Sequence, residues 1–188
     1  MSSLKLQGAT SGEITVTVPN VAGTNTLTLP AATGTLTTTD VATNTPIFYG
    51  EIGSTQSIVD VTTTKLAFDT VIVDTDSGFN TSTNTYTIPS GKGGKYAVSA
   101  FTRIDSLSAS NMSVGQLMIF VNDTLVRRAY DFLSNSYVRA ISPSLHTILD
   151  LSAGDTIYVS AYANTVNGAN ASISGDTYSG FSLHRLIG

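Results

Sequence analysis

The sequence contains no cysteine, and only 12% of its residues are charged, whereas soluble domains usually carry roughly 25%. Without cysteine, a disulfide framework, a thiolate zinc site and a thiol nucleophile are all excluded. Lysine, glutamate and arginine normally cover the exposed faces of helices, so their scarcity argues against long surface helices. No run of about 18 apolar residues occurs, so we expect no transmembrane helix and no membrane insertion.

The charge that is present is acidic overall, with a formal net value of −4 at pH 7. Phosphate contacts need clustered lysine and arginine, and the densest basic stretch is only the pair Arg127-Arg128. The sequence therefore predicts no nucleic-acid partner. The first five residues, Met1–Lys5, contain no apolar stretch of signal-peptide length, so we expect a protein made in the cytoplasm.

In place of charge the chain is rich in threonine, serine, asparagine and glycine, which favour pleated strands and tight turns. From Pro46 onward, short runs of strand-forming residues alternate with turn-rich stretches, and no helical period is visible. The predicted strands are Ile47–Ile52, Lys65–Val73, Thr85–Ile88, Lys95–Ile104, Val114–Val121, Leu125–Phe132, Val138–Leu149, Thr156–Ala163 and Thr177–Leu186. This rhythm predicts an all-β fold, an antiparallel β-sandwich of jelly-roll size.

Residues 1–45 differ from the rest because they contain no aromatic residue and only two alternating runs, Glu13–Val18 and Thr26–Leu29. Two such runs cannot bury a core, since an isolated hairpin is marginal in water. We therefore predict an extended β arm, residues 1–45, followed by a folded knob, residues 46–188. The arm must pack on the knob, on sister copies or on a partner. The candidate attachment residues are Ile14, Val16, Val18, Leu27 and Leu29.

The knob resembles the C1q/TNF-like jelly-roll family in the order of its motifs. The matching pieces are Phe68-Asp69-Thr70-Val71, Gly94-Lys95-Tyr96-Ala97-Val98, Leu149–Val159 and Tyr178-Ser179-Gly180-Phe181-Ser182-Leu183. The resemblance implies a homotrimer packed about a three-fold axis, with apolar and aromatic side chains along the seam. Tyr158, Tyr162 and Phe181 are the candidate seam residues.

The arm resembles a segment found near the start of tailed-phage fibre and virion-surface proteins, over Gly12–Pro19 and Ala22–Leu36. Together the two resemblances imply a structural component of a bacteriophage virion, made in the host bacterial cytoplasm. The protein would be a tail fibre or a capsid-decoration protein. Its arm would dock on capsid, portal, tail or fibre proteins of the particle. Its knob would serve host attachment by binding a glycan or a protein of the host surface. The alternative is a lectin-like carbohydrate-binding module outside any virion.

Catalytic and metal motifs are incomplete, so neither an enzyme nor a cofactor is expected. No Gly-x-Ser-x-Gly occurs, and His146 and His184 both fall in predicted strands. The stretch Asp74–Gly78 begins like a calcium loop, but an EF-hand would need glycine where Phe79 stands and glutamate where Thr85 stands. An acidic turn is the preferred interpretation, and calcium binding is the alternative.

The polar segment Asn164–Gly175 is predicted to be a loop. Its alternative role is a receptor-facing surface, in which Asn164, Asn167 and Asn170 would supply adaptable hydrogen bonds. For Tyr130, Tyr137 and Arg139, strand packing and receptor contact are both open.

Overall fold

A computed structural model of the protein describes residues 3–7, 13–17, 45–108 and 110–186. The chain divides into two compact units, Met1–Val41 and Ala42–Gly188. The first unit contains most of the predicted arm, and the second contains the predicted knob.

The described part of the arm is an antiparallel hairpin of β1 (Ser3–Gln7) and β2 (Glu13–Thr17). The strand predicted over Glu13–Val18 is confirmed over β2, whereas the sequence analysis did not identify β1. Their register sets apolar residues opposite apolar ones, Leu4 opposite Val16 and Leu6 opposite Ile14, and polar residues opposite polar ones. The remaining arm predictions, namely the run Thr26–Leu29 with Val18, Leu27 and Leu29, lie outside the described residues.

The described knob consists of short strands and one turn of 3₁₀ helix, Asp176–Tyr178. The strands are β3 (Ile47–Glu51), β4 (Gln56–Ile58), β5 (Thr64–Lys65), β6 (Thr70–Asp74), β7 (Phe79–Asn80), β8 (Thr85–Thr87), β9 (Gly94–Phe101), β10 (Ile104–Asp105), β11 (Met112–Val121), β12 (Thr124–Phe132), β13 (Ala140–Ile141), β14 (Ser144–Leu151), β15 (Thr156–Thr165), β16 (Ala171–Ile173) and β17 (Gly180–Arg185). Each of the nine predicted strands overlaps at least one of them, so the all-β prediction is confirmed.

Three antiparallel sheets organise these strands. The six-stranded sheet has the order β12-β11-β15-β8-β7, with β5 also paired to β15, and the five-stranded sheet has the order β14-β9-β17-β3-β6. The four-stranded sheet has the order β13-β10-β16-β4. Three of its strands, β10, β16 and β4, directly follow β9, β15 and β3 in the chain. We call it the loop-end sheet. The two large sheets stack into the jelly-roll sandwich.

Side-chain alternation turns one face of each large sheet into a shared core, because successive side chains of a strand point to opposite faces. Alternate residues of β9 and β15 are at most 1% exposed: Tyr96, Val98, Ala100, Ile157, Val159 and Ala161. Phe181 belongs to an aromatic cluster, 5.3 Å from Phe48 and 5.5 Å from Phe68 between ring centroids. The contact with Phe68 joins β17 to the connection between β5 and β6.

Some predicted boundaries are wrong for identifiable reasons. The strand predicted over Val138–Leu149 is split into β13 and β14 at Pro143, which has no N–H to donate to a ladder; its carbonyl accepts a hydrogen bond from the Thr102 N–H at 3.1 Å. The loop predicted over Asn164–Gly175 is also wrong in part, because β15 continues through Thr165 and β16 is a fully buried strand paired with both β10 and β4.

Candidate binding and assembly surfaces

At the end of the knob formed by the loop-end sheet, side-chain hydrogen bonds hold the connection between β4 and β5 against the end of β15. The Asp60 carboxylate accepts from the Thr165 N–H at 2.7 Å and from its hydroxyl at 3.1 Å, and the Asp60 N–H donates to Asn170 Oδ1 at 3.3 Å. The adjacent Val61 has φ +54° and is exposed, a backbone conformation rare for a β-branched residue. The polar contacts therefore fix an exposed loop in one shape.

Two of the three predicted receptor-facing asparagines lie at this same end. Asn167 is exposed and exchanges two hydrogen bonds with Asn111: the Asn111 amide donates at 2.7 Å, and the Asn167 N–H donates back at 3.2 Å. Asn170 is also exposed and accepts from Asp60, whereas Asn164 is a half-buried residue of β15. The structure thus brings Asn167 and Asn170 together and separates Asn164 from them; their receptor role stays a prediction.

Asp105, in β10, is the buried charge of the loop-end sheet, with 6% of its surface exposed. It accepts from the Leu107 N–H at 2.7 Å, from Arg139 Nε at 3.3 Å and from an Arg103 guanidinium nitrogen at 3.1 Å. Burial by itself would raise the pKa of Asp105, but these donors and positive charges outweigh it and hold the pKa below its ordinary value. Arg139 therefore has a structural contact in addition to the receptor contact considered from the sequence, and Tyr137 is exposed.

The outward face of the five-stranded sheet has small residues at its centre, Ser99, Ala97 and Ser182, and larger ones towards its edges. Two neighbouring rows of residues cross β14, β9, β17 and β3 in that order. The first row is His146, Ser99, Ser182 and Tyr49, and the second is Ile148, Ala97, His184 and Ile47. A hydrogen bond of 2.9 Å joins Ser99 Oγ and His146 Nδ1, and both histidines lie in strands, as predicted.

A glycine keeps this face flat beside its largest side chain. A Cβ on Gly180 would lie 2.6 Å from the Phe101 ring and 3.0 Å from the Tyr49 ring, so both rings pack over the glycine. The Tyr49 hydroxyl donates to Glu51 at 2.5 Å. Burial, together with this contact to a carboxylate, raises the pKa of Tyr49 to about 12. The result is an aromatic band across β9, β17 and β3, with the Glu51 carboxylate at the Tyr49 hydroxyl.

The three predicted seam residues do not lie together on that face. Phe181 is 1% exposed and packs in the knob's own core, so its prediction as a seam residue is corrected: it has no free surface for a second chain. Tyr158 and Tyr162 lie on β15, in the other sheet. The ring of Tyr158 is already covered, by Phe120 stacked at 5.0 Å and by the Lys65 ammonium at 3.7 Å.

The outward face of the six-stranded sheet has the opposite character, aromatic and basic. Tyr130 and Phe132, on the edge strand β12, are 52% and 62% exposed. Their rings are nearly parallel, 13° apart with centroids at 6.4 Å, and the Arg128 guanidinium lies 5.7 Å from the Tyr130 ring. The sequence analysis considered Tyr130 but missed Arg128 and Phe132, although the spacing of 128, 130 and 132 in one strand places them on a common face.

The carboxylates of the acidic turn Asp74–Gly78 already have hydrogen-bond and ion-pair partners within the knob. Asp74 accepts from the Gly78 and Phe79 N–H groups at 3.1 and 2.9 Å, while Asp76 pairs with Lys92 at 3.3 Å and accepts from Thr75. Within residues 3–7, 13–17, 45–108 and 110–186, no group of three or more histidine, aspartate or glutamate side chains is arranged to hold a metal. The same residues contain no helix long and apolar enough to cross a membrane.

No protein-family model and no curated protein sequence matches this chain. The fold, in contrast, is similar to solved structures. The globular domain of zebrafish complement 1qA protein superposes with a TM-score of 0.54 at 15% identity, covering 76% of this chain and 98% of that one. Murine APRIL superposes with a TM-score of 0.56 at 12% identity, covering 74% and 98%. The described knob therefore adopts a C1q/TNF-like jelly-roll fold.

Proposed function

We propose that this protein is a structural component of a tailed-phage virion, a homotrimer anchored by its N-terminal arm with its knobs projecting outward for host attachment. The observation that carries the proposal is the division of the chain into a hairpin unit and a separate jelly-roll unit. In this arrangement the hairpin attaches and the knob is displayed. The likeness of the arm to phage fibre segments and the C1q/TNF-like fold of the knob support it.

The outward face of the five-stranded sheet is the surface best suited to be the trimer seam. Its central positions, Ser99 and Ser182, are small, so a second chain can approach closely, and Phe101 and Tyr49 add apolar area beside them. Exposed apolar residues continue along its edge strand β6, where Val71, Ile72 and Val73 are all exposed. An apolar edge strand invites pairing with another chain, so assembly would bury the edge together with the face.

Size-exclusion chromatography with light scattering tests the seam. The chain should have three times the mass of one copy, and Ser182→Arg should reduce it to a monomer, because three arginines would meet at a water-excluded centre. Ser57→Arg is the matched control, since Ser57 is an exposed strand residue of the loop-end sheet, and it should stay trimeric. A folded Ser182→Arg protein that remains trimeric would place the seam elsewhere.

The arm is tested by incorporation into particles. Virions purified from the bacteria that make this protein should contain it, and the double change Ile14→Asp with Val16→Asp should remove it, because the apolar positions of β2 then carry charge. Thr15→Asp, between them in the same strand, should be incorporated normally. If the protein is missing from wild-type particles, the virion assignment fails whatever the knob does.

A further inference from the structure

The outward face of the six-stranded sheet has features that the fold itself does not require. Phe120 and Tyr158 lie on this face and are covered by each other and by Lys65, as expected for packing. Tyr130 and Phe132 are not covered in this way, since more than half of each side chain is open to solvent. Two large aromatic side chains exposed side by side on a rigid strand form a preorganised stacking surface.

This face carries two cations, Arg128 and Lys65, and one carboxylate, Asp123, which interacts with the Tyr158 hydroxyl beside the Phe120–Tyr158 pair. In the register, Arg128 lies opposite Met118, Met118 opposite Ser160, and Ser160 opposite Lys65 on β5, which puts one cation on each side of the Met118–Ser160 pair. Within the described residues neither cation forms a salt bridge, although acidic residues outnumber basic ones in the whole chain, 13 to 9.

Hydrogen-bonding groups lie in the row next to that of the two cations. Gln116 is opposite Tyr130 on one side and Tyr162 on the other, and its amide oxygen accepts from Arg128 at 3.4 Å. Its amide N–H group and the Tyr162 hydroxyl add a donor and a donor–acceptor to the face. Across neighbouring rows of the sheet, the surface thus combines ring faces, neutral polar groups and a guanidinium that has no carboxylate partner among the described residues.

We propose that this face binds an acidic saccharide chain, one whose sugars carry carboxylate or phosphate groups. The C–H faces of sugar rings would stack on Tyr130 and Phe132, while Arg128 would bind the acidic group through its planar fork. Gln116 and Tyr162 would receive hydroxyl groups. A single-stranded nucleic acid would use rings and cations too, but backbone tracking needs more positive charge than two cations in a chain of net charge −4.

This inference rests on the proposed role of the knob in host attachment and names the ligand class for it. The two large sheets of a sandwich turn their outer faces in opposite directions. A seam on the five-stranded sheet therefore leaves the six-stranded face open in the assembled trimer, where three copies would bind one chain-like ligand with avidity.

The experiment measures binding of the purified full chain to immobilised oligosaccharides. The probes are oligomers of galacturonic acid, sialic acid and glycerol phosphate-linked sugars, with galactose and glucose oligomers as neutral counterparts and an oligothymidylate as the nucleic-acid probe. We expect binding to at least one acidic series and about tenfold weaker binding, or more, to the neutral counterparts, the effect of one charge-assisted contact.

Matched variants assign the site. Arg128→Gln, and Tyr130→Ala with Phe132→Ala, should each weaken acidic-saccharide binding by about tenfold or more. Arg127→Gln is the control for charge, since Arg127 is the neighbouring residue of the same strand but donates to Thr147 of β14. Tyr178→Ala is the control for an exposed ring, since Tyr178 lies outside the six-stranded sheet. Both controls should bind like the wild type, and circular dichroism should show all variants folded.

Three outcomes would overturn the proposal: no binding to any acidic probe, equal loss in the Arg127→Gln control, or tighter binding to oligothymidylate than to every saccharide. Because the assay uses purified protein and no particle, its failure leaves incorporation through the arm untouched. A protein absent from virions that binds acidic saccharides through Arg128 would sustain the site and end the virion assignment.

Discussion

The middle of the knob and its loop end share one apolar core but differ in their polar contacts. In the middle, β9, β11 and β15 are eight to ten residues long and are stabilised mainly by apolar area removed from water. At the loop end, the strands are two or three residues long. They add a few buried apolar residues to the core, namely Ile58, Ile104, Ala171 and Ile173, and the carboxylates of Asp60 and Asp105 also accept hydrogen bonds that fix the chain. These directional polar contacts cost energy when left unpaired.

The difference explains where each region can change. An apolar core tolerates few changes of volume because its side chains interlock. At the loop end, the polar contacts fix particular carbonyl and N–H groups of the backbone. Exposed side chains there, such as Val59 and Val166, are not needed to hold the fold. The loop end is therefore the part of the knob where surface residues can vary without loss of the fold.

Phe181→Ala should give the largest effect of the changes considered. It removes a ring that contacts Phe48 and Phe68 in the core, and such truncations cost about 3–5 kcal/mol. Urea unfolding of the purified chain measures the loss. The control is Phe132→Ala, which removes the same ring from an exposed position and should cost well under half as much; equal losses would contradict the assignment of Phe181 to the core.

The same contrast separates what the sequence predicts from what it does not. The faces of β9 and β15 follow from alternation, because a long half-buried strand has a period of two. The strand β16 does not, because three residues buried on both sides have no period to read, and the surrounding Asn, Ser and Gly favour a loop. Contacts such as Asp60 with Thr165 join residues 105 positions apart, which no local pattern encodes.

The candidate surfaces follow the same logic. Alternation places 128, 130 and 132 on one face, but which face is exposed depends on β12 being the edge strand of its sheet. The sequence predicts the strand that contains Phe181 but not which side of the sheet Phe181 faces, so the prediction of Phe181 as a seam residue is wrong. Ser182, the next residue, points to the outward face and Phe181 to the core, a difference of one position.

Asp105→Asn should have the next largest effect, about 2–3 kcal/mol at pH 7, because a buried amide cannot replace a carboxylate between Arg139 and Arg103. The wild-type pKa of Asp105 is lowered, so its contribution is present above the unfolded-state pKa and is lost as the pH falls through the folded-state value. Unfolding at pH 7 and at stepwise lower pH measures both.

The wild type and the Asp105→Asn variant should therefore converge in stability at acid pH. Asp150→Asn is the control, since Asp150 forms a solvent-exposed pair with Lys95 and should change little at any pH. A gap between wild type and Asp105→Asn that stays constant down to the lowest pH would contradict the charged role of Asp105.

Gly115→Ala probes the junction of the two regions and should cost about 1–2 kcal/mol. An added Cβ would lie 1.9 Å from Ile141 Cδ1, the end of a side chain from the loop-end sheet, and 3.6 Å from Ile104. Because the obstructing methyl is the end of a flexible side chain, Ile141→Val should recover part of the loss in the double variant. Additive losses in a double-mutant cycle would mean that the two sites do not touch.

Asp60→Ala should have the smallest effect on global stability, about 1 kcal/mol, because Asp60 is half-buried and water can replace the hydrogen bonds that Thr165 donates. Its local effect should be larger. The Val61 N–H donates to the carbonyl of Ala163 in β15 at 2.8 Å, and its hydrogen exchange should accelerate. Exchange at Val159, in the middle of β15, should stay unchanged.

Thr62→Ala is the control, because the Thr62 hydroxyl bonds within its own turn, to Asp60 O. Equal acceleration at Val61 and Val159 would mean that the loop end and the middle of the knob unfold as one unit, and the contrast between them would fail.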